Sequence, residues 1–99
     1  MKLCFDLQEG FENDEVLIFD NQKKIFQAEK VKTRTQIGFA TSLEVELSGE
    51  KANLRIDIPS RNISEKKEIT LTDNLHIAVS VTEENKLDWK LSDSPFFYM

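Results

Sequence analysis

The feature that most constrains this chain is a period-two alternation of apolar residues with other residues, which recurs along nearly its whole length. The clearest case is "LHIAVSV", in which Leu75, Ile77, Val79 and Val81 occupy every second position. Successive side chains of a β-strand point to opposite faces, so this pattern is typical of strands that bury one face. The pattern predicts further strands at "LCFDL", "SLEVEL", "LRIDI" and "KLDWKL", whereas "EVLIFD" is apolar on both faces and suits a central strand.

Two shorter apolar segments, "KKIFQAE" and "EITLT", bring the count to about eight strands. Residues 22–32 contain good helix formers, but a plausible turn at 20–23 lies between two apolar runs and favours a strand. The turn sequences "SGEK", "TDN" and "EEN" separate other segments. We therefore predict one all-β domain over residues 1–99, an antiparallel β-sandwich of about seven or eight strands, immunoglobulin-like or jelly-roll-like.

Composition limits the partners and the compartment of the protein. The 99 residues include 39% hydrophobic residues, enough for one core at a length where a second core would be too small. The net charge of −5 disfavours nucleic acid and anionic membranes as partners. The chain has one cysteine, and "MKLCFDLQEG" lacks the apolar run of an export signal, so we expect a cytoplasmic location.

The connections between the predicted strands differ in length, and this difference bears on function. Antiparallel strands joined in sequence place their connections alternately at the two ends of a sandwich. The short connections fall at 20–23, 48–51 and 72–74, and the long ones at 8–14, 32–41 and 59–67. We expect the long loops to cluster at one end, where loops on a rigid scaffold often carry binding residues. A strand hidden within 32–41 would reverse this assignment for the rest of the chain.

Four residues of the long loops are candidates for binding a ligand or partner. Phe11, Phe39 and Arg61 would line a shallow pocket if the loops meet. Arg34 ends a basic stretch, residues 23–34, within an acidic protein. That stretch is either a patch for an anionic group or acidic partner, or a lysine-rich edge strand that discourages aggregation between sheets.

The sequence offers little catalytic chemistry. Cys4 and His76, with Asp6, resemble a nucleophile, a base and an orienting acid. Each of the first two stands between core-facing residues on its own strand, so both should point away from the core, and no catalytic role is expected. The glycines are isolated, no zinc-ligand set is present, and the acidic loop around Glu12 and Asp14 lacks calcium-loop spacing. We expect no catalytic residue, cofactor or metal site.

The closing residues "SPFFYM" are unusually apolar. Pro95 cannot donate to a sheet ladder, so the chain should restart after it as a short strand or fold across an edge. Neighbouring strand residues face opposite ways, so Phe96 with Tyr98, or Phe97 with Met99, would enter the core. The other pair would then be available for self-association.

Four segments in a fixed order carry a resemblance that spans nearly the whole chain. They are "GFENDEV", "VKTRTQIGFATSLEVEL", "LRIDIPSR" and "SDSPFFYM". Their order resembles a group of short bacterial β-rich proteins of unassigned function. The resemblance implies a standalone β domain without a transferable activity, and this chain has Asn21-Gln22 where those proteins carry an Asp-Gly turn. The pattern positions that the resemblance marks are Thr33, Gly38, Pro59, Pro95 and Tyr98.

Taken together, these features predict a non-catalytic module for protein binding or assembly, acting through a protein partner or through a second copy of itself. The alternative is small-molecule or carbohydrate binding at the long-loop end. A concave pocket with convergent polar groups would favour the alternative, and an exposed apolar patch would favour assembly.

Overall fold

The computed structural model describes residues 2–34, 36 and 38–96. Its eight strands confirm the all-β prediction, including a strand rather than a helix within 22–32. The strands are β1 (Lys2–Leu7), β2 (Glu12–Asp20), β3 (Lys23–Lys32), β4 (Thr41–Glu46), β5 (Lys51–Ile58), β6 (Ile63–Thr70), β7 (Leu75–Val81) and β8 (Leu87–Ser92). A short 3₁₀ helix, Pro59–Arg61, follows β5. In the tail, Phe96 is half-buried, and Phe97, Tyr98 and Met99 lie outside the described residues.

The strands form two four-stranded sheets. Sheet A has the order β4-β1-β7-β8, and sheet B has the order β3-β2-β5-β6. Sheet B is antiparallel throughout, whereas in sheet A β1 runs parallel to β7, with Leu3 opposite Leu75 and Leu7 opposite Val79. The antiparallel prediction therefore holds for every pair of named strands but this one. The exception is possible because connections pass from one sheet to the other, so β1 and β7 can run toward the same end without a direct crossover between them.

The core lies between the two sheets. Phe5 of β1, Ile18 of β2, Ile56 of β5 and Ile77 of β7 are fully buried and belong to one continuous cluster. Alternation places these residues on the inner face of each strand, as the sequence predicts for Phe5, Ile56 and Ile77. Two sheets that share one core face to face are a β-sandwich.

Three strands, β2, β5 and β6, begin three or more residues earlier than predicted. β2 begins at Glu12 and β6 at Ile63, so the connections expected at 8–14 and 59–67 are shorter than their predicted ranges. β6 is an edge strand, and its residues 64–68 are exposed or half-exposed on both faces. Charged residues suit such a strand, which is why its first half looks like a loop in the sequence.

One long side of the sandwich is closed by hydrogen bonds between the sheets. The Glu65 carboxylate on β6 accepts the backbone N–H of Leu87 at 2.7 Å and the indole N–H of Trp89 at 3.4 Å, both on β8. We call this β6/β8 side the closed side. Because β6 and β8 are the last strands of their sheets, the other two edge strands, β3 and β4, lie together on the opposite side.

We call the β3/β4 side the open side. Its inward apolar residues pack against the core but are only partly buried: Ile25, Phe26, Ala28, Leu43 and Val45. On β3 the pairing with β2 contains register shifts, and Lys30 has a left-handed φ of 57°. Such bulges twist an edge strand. The basic stretch 23–34 is therefore largely an edge strand, as one of its two sequence interpretations predicts.

Candidate functional sites

The longer connections meet at one end of the sandwich, which we call the loop end. The backbone N–H of Thr33 donates to the Phe11 carbonyl at 2.9 Å, and Arg61 donates to Asn85 at 2.9 Å. The first bond joins the connections after β1 and β3, and the second joins those after β5 and β7. Arg61 links the two pairs by donating from Nη2 to the Gly10 carbonyl. Within the described part of 33–40, a single bridge between Arg34 and Phe39 is the only β pairing. The longer connections therefore cluster at one end of the sandwich, as their alternation along the chain predicts.

A buried ion pair is the centre of the loop end. Asp14, at the start of β2, is 4% exposed, and the guanidinium of Arg61 binds it through Nε at 3.1 Å to both carboxylate oxygens and through Nη2 at 3.1 Å. Arg61 reaches this position because Pro59 begins the 3₁₀ helix, and Asn62, with φ of 54°, ends it in the left-handed conformation. This sharp turn directs the side chain back toward β2.

The other polar atoms of this pair are also used inside the molecule. Ser60 Oγ donates to Asp14 at 2.8 Å, as does the backbone N–H of Glu12 at 2.8 Å. Two further N–H groups of the Arg61 guanidinium donate to the Gly10 carbonyl at 2.8 Å and to Asn85. Arg61, a predicted binding residue, therefore has its guanidinium engaged in holding three connections and the start of β2 together.

The ion pair also controls the protonation of Asp14. Burial alone would raise the pKa of this carboxyl group, because the charged form loses its hydration. Hydrogen bonds from Arg61, the Glu12 backbone and Ser60, together with the Arg61 charge, outweigh burial and hold the pKa below its ordinary value of 3.8. Asp14 is therefore a carboxylate at neutral pH.

Phe11, another predicted binding residue, is 2% exposed and belongs to the core. Its backbone N–H donates to Thr33 Oγ1 at 3.0 Å, and that hydroxyl donates to the Gln8 carbonyl at 2.7 Å. The β1–β2 connection thus folds its aromatic ring inward and closes this end of the sandwich. Sequence reasoning places Phe11 in a loop correctly but does not show that the loop covers the core.

The other two predicted binding residues are more accessible. Arg34 is exposed and Phe39 is half-buried. Neither lines the cleft of about 290 Å³ at the loop end, which is formed by Glu9, Gly10, Phe11, Glu12, Lys32, Thr33 and Gly38. The structure therefore brings loops together as expected but does not gather the four predicted residues around one pocket.

Cys4 and His76 lie side by side on the outer face of sheet A. They are directly opposite each other in the parallel β1–β7 pair, and both are half-buried. The thiol of Cys4 is 3.8 Å from Glu44 Oε1, and burial first and this carboxylate second raise the pKa of the thiol above its ordinary 9.0. A thiol of this kind is protonated at neutral pH, so it is a poor nucleophile. Sequence reasoning missed their adjacency, since alternation reveals a residue's face and not the neighbouring strand.

The outer face of sheet B holds a polar cleft that sequence reasoning also missed. It has a volume of about 650 Å³ and is lined by Asn21, Gln22, Asn53, Leu54, Arg55, Lys66, Lys67 and Glu68. The Arg55 guanidinium lies 4.2 Å from the centre of the Phe19 ring, and its Nε is 3.3 Å from Asp57. The cation–π contact and the ion pair both attract the guanidinium, but Arg55 Nε is buried and makes no hydrogen bond within the described part of the chain.

Comparison with known proteins assigns no family. No protein-family model matches the chain, and no curated protein matches it. The likeness to short bacterial β-rich proteins stays a prediction. In the described part of the chain, no three His, Cys, Asp or Glu side chains are grouped so that they could hold a metal ion. No helix among the described residues has the length and hydropathy needed to cross a membrane.

Proposed function

We propose that the protein is a non-catalytic cytoplasmic module that acts by binding another protein surface, and that the open side is where it binds. The observation that carries the proposal is the difference between the two long sides. Glu65 bonds the sheets together on the closed side, where Trp89 is half-buried and Leu91 is 45% exposed, whereas five inward apolar residues are half-covered on the open side. Partly exposed apolar residues on the edge strands of sheets are a common basis of protein contacts.

The state of the reactive groups supports a binding role over catalysis. The Cys4 thiol has a raised pKa, and the Asp14–Arg61 pair uses its polar atoms within the fold. The net charge of −5 supports a protein partner over nucleic acid or an anionic membrane.

Small-molecule or carbohydrate binding at the loop end is the second candidate. The cleft of about 290 Å³ there, with Lys32 at its wall, favours it. Its volume is at the lower limit for clefts that enclose a small ligand, about 300 Å³. Small-molecule binding at the loop end therefore requires a ligand smaller than those of typical pockets.

Affinity purification of tagged variants from the native host distinguishes the two. Glu44→Lys alters the open side, Glu68→Lys alters the edge of the closed side, and Lys32→Glu alters the cleft. Proteins, including untagged copies of the chain, that copurify with the parent protein should be lost with Glu44→Lys and retained with the other two. Equal recovery with all variants, or selective loss with Lys32→Glu, would refute the proposal.

A further inference from the structure

We propose that the partner of the open side is a second copy of this chain, bound in a two-fold symmetric dimer. In this dimer the β4 edge of each copy lies beside the β3 edge of the other. The inference rests on the proposed function, because it identifies the partner of the same surface.

The charges of the two edge strands select this pairing. β3, "KKIFQAEKVK", carries four lysines and one acid, whereas β4, "TSLEVE", carries two acids and no base. Two β4 edges would bring glutamates together, and two β3 edges would bring lysines together. Like charges opposite each other destabilise a strand pair and opposite charges stabilise it, so β4 should meet β3.

The topology lets both contacts form at once. β3 runs toward the loop end and β4 runs away from it, and the two lie side by side on the open side. A two-fold axis parallel to the strands places β3 of the second copy beside β4 of the first, and β4 of the second beside β3 of the first. Rotation about this axis does not change the direction of any strand. Each β4 then meets the partner's β3 in the antiparallel sense. The same contact occurs twice, so the assembly closes as a dimer and does not extend into a filament.

Glu44 and Lys24 are the charges best placed for this contact. Both lie in the half of their strand that is farther from the loop end. The two-fold axis is parallel to the strands, so it keeps both residues at the same height along the sandwich. Glu44 is opposite Cys4 and Lys24 is opposite Phe19, so both face outward from the sandwich. Both are exposed; Lys24 Nζ donates to the uncharged Gln27 at 2.6 Å, and Glu44 forms a loose pair with Lys2 at 3.7 Å.

The same contact covers the partly exposed apolar residues. Leu43 and Val45 of one copy would lie beside Ile25 and Phe26 of the other, extending the core across the interface. The bulges of β3 shorten any continuous backbone ladder with β4. Side-chain ion pairs and apolar contacts do not need such a ladder, so the bulges limit the pairing without preventing it.

Sedimentation equilibrium of the purified full chain tests the proposal. The parent protein should show a monomer–dimer equilibrium, and Glu44→Lys and Lys24→Glu should each weaken the dimer about tenfold or more, since each change acts at two contacts. An equimolar mixture of these two variants should recover parental affinity. In the mixed dimer both contacts again join opposite charges.

Glu68→Lys is the matched control on the closed side. Glu68 pairs with Lys51 at 3.7 Å, and its side chain is 62% exposed, against 3.7 Å and 63% for Glu44 with Lys2. This variant should dimerise like the parent. The proposal is wrong if the parent is monomeric throughout, if Glu68→Lys weakens association equally, if the mixture recovers nothing, or if larger assemblies form. A monomer that still captures another protein through Glu44 would overturn the dimer and leave the proposed function standing.

Discussion

The loop end and the open side use their polar and apolar groups in opposite ways. At the loop end, Arg61, Asp14 and Ser60 direct their hydrogen-bonding groups at one another, and Phe11 is folded into the core. On the open side, β3 and β4 are the edge strands of their sheets, and apolar residues such as Val45 are only partly buried. A cluster of loops is therefore not by itself a binding site, because its side chains can be fully engaged in closing the fold.

The strongest test of this contrast is removal of the Arg61 side chain. Arg61→Ala leaves the Asp14 carboxylate buried without its counter-charge, which should lower the free energy of unfolding by about 3–5 kcal/mol. Urea unfolding at low protein concentration measures the loss. Glu44→Ala on the open side is the control and should change stability by less than about 0.5 kcal/mol, because its pair with Lys2 is exposed. Similar values for the two variants would remove the contrast.

A smaller effect is expected where the loop end is tightly packed. Gly10 has a φ of 88°, and a Cβ there would overlap the Val81 carbonyl oxygen, so Gly10→Ala should cost about 2–4 kcal/mol. Gly49, at the opposite end, has a φ of 91° with nothing within 4 Å of an added Cβ. Gly49→Ala should cost only the backbone strain, about 1 kcal/mol. Thermal unfolding of both variants measures the difference, and equal shifts would show that the loop end is not the tighter of the two.

The smallest effect is a dependence on pH. The pKa of Asp14 is lower in the folded protein than its ordinary 3.8, so the unfolded chain binds the proton more readily. Its contribution to stability is therefore fully present above about pH 4 and is lost as the pH falls through the folded value. Asp14→Asn should unfold more easily than the parent at pH 7 and show a flatter loss of stability below pH 4. Parallel pH profiles would contradict this role for the carboxylate.

Alternation in the sequence predicted the faces of the strands well. It placed Phe5 and Ile77 in the core, and the order of short and long connections predicted which loops meet. It did not predict contacts that depend on which strands are neighbours. Asp14 and Arg61 are 47 positions apart, and no local pattern marks one as the partner of the other. For the same reason, no local pattern predicts the β1–β7 pair, which brings Cys4 beside His76.

β1 pairs with a strand that is synthesised late. Its parallel neighbour, β7, is the seventh of eight strands, so β1 leaves the ribosome long before that neighbour exists. Until then only β4 can pair with it, and the inner face of the growing sheet stays uncovered. Native contacts between distant parts of a chain slow folding, and incomplete sheets are prone to aggregate. We expect the last step of folding to wait for β7, and nascent chains that end before Leu75 to depend on chaperones.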